Sequence, residues 1–416
     1  MRDSYDLPVS TREPVACDAY VQAVARFLAA GPGVEAALDR ALAADPDFAL
    51  AHMARARTEQ MLGRSAQARA SATRAVELAA SASPREQGHV RALERVVAGD
   101  RAGALAAIEV HLADYPRDVM VLAPAAGVFG LFGFSGESGR EQALLAFLQR
   151  HGGALGDDWW FLAALAFAQG EVGQLDIARA NVERALTLCP RNANAAHIRA
   201  HVHYEAGEAA AGLDWLRGWF ADYDRSGAMH CHLGWHIALW QLELGDAAAA
   251  WRTYDALVHP EDASGRGSWG PPLNALTDGV SFLFRAELAG GARDPERWAE
   301  LAAFARRTYP NPGLAFADMH SALASAMTGD REALAAIVAE AKGPAADMVV
   351  TLARGFDAFV QGNWSEAVGA LQAASISHER IGGSRAQRDL IEQALRVAAL
   401  HAGRPDLVAE RRRGVH

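Results

Sequence analysis

Two kinds of punctuation alternate along this chain and limit what it can fold into. One is a glycine followed by a short Ala-rich segment, at Gly63, Gly99, Gly173, Gly207, Gly245, Gly290, Gly329, Gly362 and Gly403. Neighbouring marks lie 33 to 45 residues apart, except for one gap of 74 that covers two periods. The other is a proline turn: Asp45-Pro46-Asp47-Phe48, Tyr115-Pro116-Arg117-Asp118, Cys189-Pro190-Arg191-Asn192 and Tyr309-Pro310-Asn311-Pro312. Proline just past a helix end stops that helix and starts the next turn. A period of this length, with glycine at the inner turn and proline at the outer one, belongs to stacked helical hairpins.

The register can be checked on single units. Small residues recur at Ala56, Ala68 and Ala75, at Ala166, Ala178 and Ala185, and at Gly355, Ala367 and Ala374. Tetratricopeptide repeats place small side chains at these positions, where the two helices and the next repeat cross closely. The pattern predicts an all-α, tetratricopeptide-like solenoid: a right-handed superhelix of about ten hairpins over residues 15–403. Residues 1–14 and 404–416 are expected as tails, the second carrying Arg411-Arg412-Arg413. Two stretches break the pattern. After a helix predicted from Val119 to Phe129, Gly130, Gly133, Gly136 and Gly139 imply a loose turn before Glu141. His259 to Pro272 reads as a polar, Gly-rich insertion, which in solenoids maps to one face.

Composition narrows the function classes. Fifty acidic against 40 basic residues give a formal charge of −10, a field that repels a phosphate backbone, so nucleic acid is not the expected partner. The three cysteines, Cys17, Cys189 and Cys231, are few and dispersed, which argues against a disulfide framework. Charges interrupt every apolar run, so no membrane span is expected. The opening residues show no signal-peptide pattern, and the expected setting is cytoplasmic.

Six of the fifteen histidines fall between residues 197 and 236. They include two His-x3-His pairs, His197/His201 and His232/His236, a spacing that puts both side chains on one helix face. Counting back from the inner-turn glycines places His197, His201 and either Tyr204 or Glu205 on the groove-facing side of one first helix, with Glu205 taken as the candidate ligand-binding residue. The next carries His232, Trp235 and His236, and the one after it Asp278, Ser281 and Arg285. Three readings stay open. The histidines can be satisfied packing residues. They can line a pocket for a small molecule or peptide. Or they can hold a divalent metal, with His197, His201, His232 and His236 as ligands. As an enzyme the chain would use His201 and His236 as acid/base groups. As a scaffold it would hold a protein partner. No His-Glu-x-x-His, phosphate-loop, dinucleotide or Gly-x-Ser-x-Gly motif is present. Oligomeric state is not legible.

Over nearly its full length the chain resembles the tetratricopeptide repeat protein 38 family and its bacterial relatives. The residues carrying the resemblance are Asp45-Pro46-Asp47-Phe48 with His52, Arg85-Glu86-Gln87 with His89, and the His197/His201/His203 group. Cys231-His232 with Trp235-His236, Asp318 with His320, and Gly382-Gly383-Ser384 with Ala386-Gln387-Arg388-Asp389 complete it. The resemblance supports the solenoid and adds His320, Gln387 and Arg388 to the candidate ligand-binding residues, without naming a reaction. Two positions depart from the family pattern: Ala126-Gly127 stands where the family tends to have His-Asp, and Tyr204 separates His203 from Glu205. Arg85 and Glu86 read as helix-opening structural residues. Of Asp318 and His320, one is expected to fix the other's imidazole tautomer. Arg388 is expected either to clamp a carboxylate or phosphate or to pair with Asp389 or Glu392.

Overall fold

Each repeat glycine falls where a helix has just ended, and all nine have φ between 69° and 95°. Gly329 shows why. At φ 71° it is the left-handed cap whose N–H returns to Ala326, a conformation that costs other L-residues about 1–2 kcal/mol. Asp330 then accepts from the Ala333 N–H at 3.0 Å and opens the following helix.

The computed structural model describes residues 1–260 and 270–408. Its helices follow in consecutive pairs: α1 (Pro14–Leu28) and α2 (Val34–Ala44), α3 (Ala49–Met61) and α4 (Ser65–Ala79), α5 (Pro84–Ala98) and α6 (Arg101–Asp114), α7 (Val119–Ala126) and α8 (Arg140–His151). Next come α9 (Trp159–Glu171) and α10 (Leu175–Leu188), α11 (Ala193–Glu205) and α12 (Ala209–Phe220), α13 (His230–Glu243) and α14 (Ala247–Thr253). The last are α15 (Pro272–Leu288) and α16 (Pro295–Thr308), α17 (Ala315–Thr328) and α18 (Arg331–Glu340), α19 (Ala346–Val360) and α20 (Trp364–Ser375), then α21 (Arg385–His401). The architecture is all-α and built from helical hairpins. Among the described residues the only β contact is an isolated bridge between Arg2 and Pro8. No helix searched is long and apolar enough to cross a membrane. None of the three cysteines is in a disulfide.

The small-residue register holds. Ala56, Ala68, Ala75, Ala166, Ala178, Ala185, Ala367 and Ala374 are all at most 1% exposed, so each crossing is sealed by alanine methyls. The irregular region differs in detail. The helix expected to reach Phe129 stops at Ala126, because Pro124 lies inside it and Gly127 leaves the helical backbone at ψ 160°. The insertion expected from His259 to Pro272 falls largely on residues 261–269, outside the described residues, as does the basic run at 411–413.

The chain forms two compact units, one of Met1–Phe132, Gln142–Ala206 and Trp219–His230, the other of Gly133–Glu141, Gly207–Gly218 and Cys231–His416. In the first unit the segment expected as an N-terminal tail is packed: Tyr5, Val9 and Thr11 are buried and Asp3 pairs with Arg85. The same unit ties the end of α1 to the start of α11, through Ala193 N–H to Ala29 O at 2.9 Å and Asn194 Nδ2 to Leu28 O at 2.8 Å. In the second unit α15 packs against both α17 and α21. Arg140 donates to the carbonyls of Glu379 and Gly383.

Candidate ligand-binding site

The second unit concentrates polar side chains in its interior. On α13, His232, Trp235 and His236 are each at most 3% exposed. The His232 ring stacks on Trp235, centroids 5.1 Å apart and 17° from parallel, while His236 meets His232 edge-on at 4.9 Å. His232 Nδ1 lies 2.8 Å from Asp278 Oδ2 on α15. Asp278 is fully buried, and a buried carboxylate is tolerated only when hydrogen-bonded, so it holds the proton on Nδ1.

Two turns along α15, Arg285 links the other helices to this pair. Its Nε donates to Ser281 Oγ at 3.2 Å and its Nη2 to the Ala386 carbonyl on α21 at 2.5 Å. The guanidinium stands 5.8 Å from the Trp235 ring centroid, within cation–π range. His320 on α17 donates from Nδ1 to the Phe316 carbonyl at 2.7 Å. Burial, then the Phe316 hydrogen bond and the Arg285 charge, set its pKa, with the net result pushed down to about 4. The ring is therefore neutral near pH 7, with its Nε2 an acceptor. Asp318, expected as a tautomer-fixing partner, instead accepts from the Gly313 N–H at 2.8 Å, and burial raises its pKa to about 6. A main-chain carbonyl does the fixing.

On α21, Gln387 closes a capping box with Ser384, its Oε1 accepting from the Ser384 N–H at 3.0 Å. Arg388 pairs with Glu141 and donates to the Gly383 carbonyl. Glu141, at the start of α8, is an acidic partner that the sequence did not suggest. Arg388 thus braces the start of α21.

On α13, α15, α17 and α21, Trp235 Nε1, Thr277 Oγ1, Asp278 Oδ1, His320 Nε2, Ser321 Oγ and Gln387 Nε2 are buried with no hydrogen-bond partner among the described residues, as is Tyr254 Oη between α14 and α15. Burying a polar group without a partner costs about 1–3 kcal/mol, and native proteins leave few so. Here, Tyr254 Oη apart, they cluster on α13, α15, α17 and α21, the helices that carry Arg285 and its neighbours. Thr277 and Ser321 were not singled out from the sequence, whereas Ser281 was. The usable signal was adjacency, since Thr277 precedes Asp278 on α15 and Ser321 follows His320.

The first unit holds the remaining candidates. His197 and His201 place their Nε2 atoms 2.7 Å apart, so one ring donates to the other, and Phe167 packs edge-on against His201. His201 and Glu205 line a cavity of about 10 Å³ with Phe167 and Glu171. That is room for about one water. Within each unit the His-x3-His pair brings two nitrogens within 4.8 Å, two of the three or four ligands a metal needs.

No family model matches the chain. Among solved structures it is similar to the crystal structure of the P58(IPK) tetratricopeptide-repeat domain, with 14% identity, covering 93% of this chain and 97% of that one at a TM-score of 0.21. The hairpin architecture rests on the helices and turns of this chain themselves.

Proposed function

We propose that the protein binds a small molecule bearing an acidic group and a hydroxyl or amino donor, held among α13, α15, α17 and α21. The observation that supports this reading is the set of buried polar atoms without partners gathered on those four helices. Their chemistry states the complement. Arg285, Trp235 Nε1–H and Gln387 Nε2–H offer charge and donors to an acidic group. Asp278 Oδ1 and His320 Nε2 accept from a hydroxyl or ammonium. A site built of such buried groups rejects analogues lacking the matching atoms, because its own groups then stay unpaired. The reading takes the chain as a cytoplasmic relative of the tetratricopeptide repeat protein 38 family, on the residues given above.

Thermal unfolding of the full chain against a panel of hydroxy and amino carboxylic acids tests it. One compound class should raise Tm by several degrees in a concentration-dependent way, and Arg285→Gln should abolish the rise while the variant stays folded. A panel without effect, together with native mass spectra lacking any co-purified small molecule, would sink the reading.

The His232–Asp278 pair favours a second reading, acid/base chemistry on the bound molecule, because a carboxylate on Nδ1 fixes the orientation and tautomer of the ring. In that case the ligand is converted on incubation and Asp278→Asn slows conversion with little change in affinity. An unaltered ligand would leave a binding protein. Metal analysis of untagged protein addresses imidazole-bound metal in the same experiment.

A further inference from the structure

A second buried cluster lies in the first unit, where α5 and α6 meet the turn before α7. His89 Nδ1 is 3.0 Å from Asp118 Oδ2, and His111 Nε2 is 2.9 Å from the same oxygen. Arg85 approaches it as well, Nε at 2.9 Å and Nη2 at 2.8 Å. Four nitrogens converge on one oxygen that has two lone pairs to offer. His89, His111, Asp118 and Arg85 are each at most 4% exposed.

The backbone is shaped for this convergence. Gly88 sits inside α5, where glycine is a poorer helix former than alanine. A Cβ there would lie 2.6 Å from His111 Nδ1, so its absence lets the α6 imidazole lie against α5 with Nε2 aimed at Asp118. The cation is shared too. Asp3 and Asp118 both pair with the single Arg85 guanidinium in this buried site.

We propose that His89 Nδ1, His111 Nε2 and an Asp118 oxygen are three ligands of one divalent transition-metal ion of the zinc type. Two imidazoles and a carboxylate suit zinc and its neighbours in ligand preference. Bonds of about 2.0–2.1 Å at a tetrahedral ion set ligand atoms about 3.3 Å apart, a small opening of the two N–O separations, and the three ligand atoms already lie within 4.8 Å of one another. A fourth position is left for a water, and a cavity of about 10 Å³, room for one, borders Asp118, Arg85 and Tyr20. Arg85 keeps its 3.0 Å contact with Asp3, fastening the N-terminal segment beside the site.

Cobalt(II) is the probe. Full chain made without an affinity tag and stripped by chelator is titrated with cobalt, followed by visible absorption and metal counting. His111→Gln should bind one equivalent less than wild type. Cobalt-soaked crystals of the wild-type chain should give an anomalous peak among His89, His111 and Asp118. An unchanged stoichiometry in a folded variant overturns the proposal, and so does a wild-type crystal with no peak there. The crystal result decides the matter even where the variant does not fold. Neither outcome bears on the ligand reading of the second unit.

Discussion

At the scale of single residues, burial divides the polar groups into those that brace and those kept for something else. Arg388 is a brace. Its partner Glu141 has a side chain only 13% exposed, so Arg388→Ala leaves a largely buried carboxylate with the longer 3.7 Å approach of Arg140 as its remaining ion pair among the described residues. The expected cost is about 1.5–3 kcal/mol by chemical denaturation. Ser321 and Thr277 behave in the opposite way. Their hydroxyls lack partners, so Ser321→Ala and Thr277→Val should leave ligand-free stability unchanged or raise it by about 1 kcal/mol. His320 gives a pH signature. Its folded pKa of about 4 lies below the unfolded value of 6.5, so the unfolded chain takes up the proton first as pH falls. Its contribution is complete above pH 6.5 and lost progressively toward pH 4, on the order of 3 kcal/mol in all. Asp318, raised to about 6, works against it across much of the same window, because the folded state then holds the extra proton. Denaturation at pH 7.5 and 4.5 should show a smaller acid loss in His320→Asn than in wild type.

Elements are decided by their turns. A Cβ at Gly329 meets nothing within 4 Å, so Gly329→Ala tests backbone conformation alone and should cost about 1–2 kcal/mol in the denaturation midpoint. A loss several times larger would mean the turn does more than reverse the chain. Helix ends obeyed the sequence where a glycine or proline marked them. They departed where two signals competed, as in α7, which Pro124 and Gly127 cut short. The second helix after Gly245 is also short. α14 gives way at Tyr254 to a π-turn closed by the His259 N–H on the Tyr254 carbonyl at 2.8 Å, and Tyr254 stacks on Phe282 of α15. No spacing in the sequence announced it.

On the scale of the whole molecule, an ideal solenoid touches only its nearest neighbours. Each unit here goes further. In the second, α21 packs on α15 and supplies the Ala386 carbonyl to Arg285 and the Gly383 carbonyl to Arg140. Truncation after residue 384 should therefore cost more helix, by far-ultraviolet circular dichroism, than the 17 residues of α21 alone. Loss confined to those residues would mark an open, neighbour-only stack. In the first unit, Ala30 holds a left-handed φ of 51° beside the Ala193–Ala29 contact and accepts from the Tyr223 hydroxyl. Tyr223→Phe should lower the stability of that unit by about 1 kcal/mol.

The hairpins were legible because their information is local: a glycine that ends a helix and an alanine at each crossing act within one period. His232, Trp235, His236, Asp278 and Arg285 were singled out by carrying that period along the chain, and His320 by the family resemblance. Their partners were not. The carbonyl that fixes His320 is four residues away and could be any acceptor by spacing alone. Arg388 meets Glu141 from 247 residues earlier, and Arg85 meets Asp3 from 82 residues earlier. His111 and Asp118 passed unnoticed, since neither belongs to a His-x3-His spacing and their convergence with His89 depends on how α5, α6 and the following turn close. By itself the sequence determined the hairpins and which helix faces carry polar groups. Only the tertiary structure decided which buried charges meet and which polar atoms stay without partners. Those outcomes depend on distances across the packed chain, which a periodic pattern does not encode.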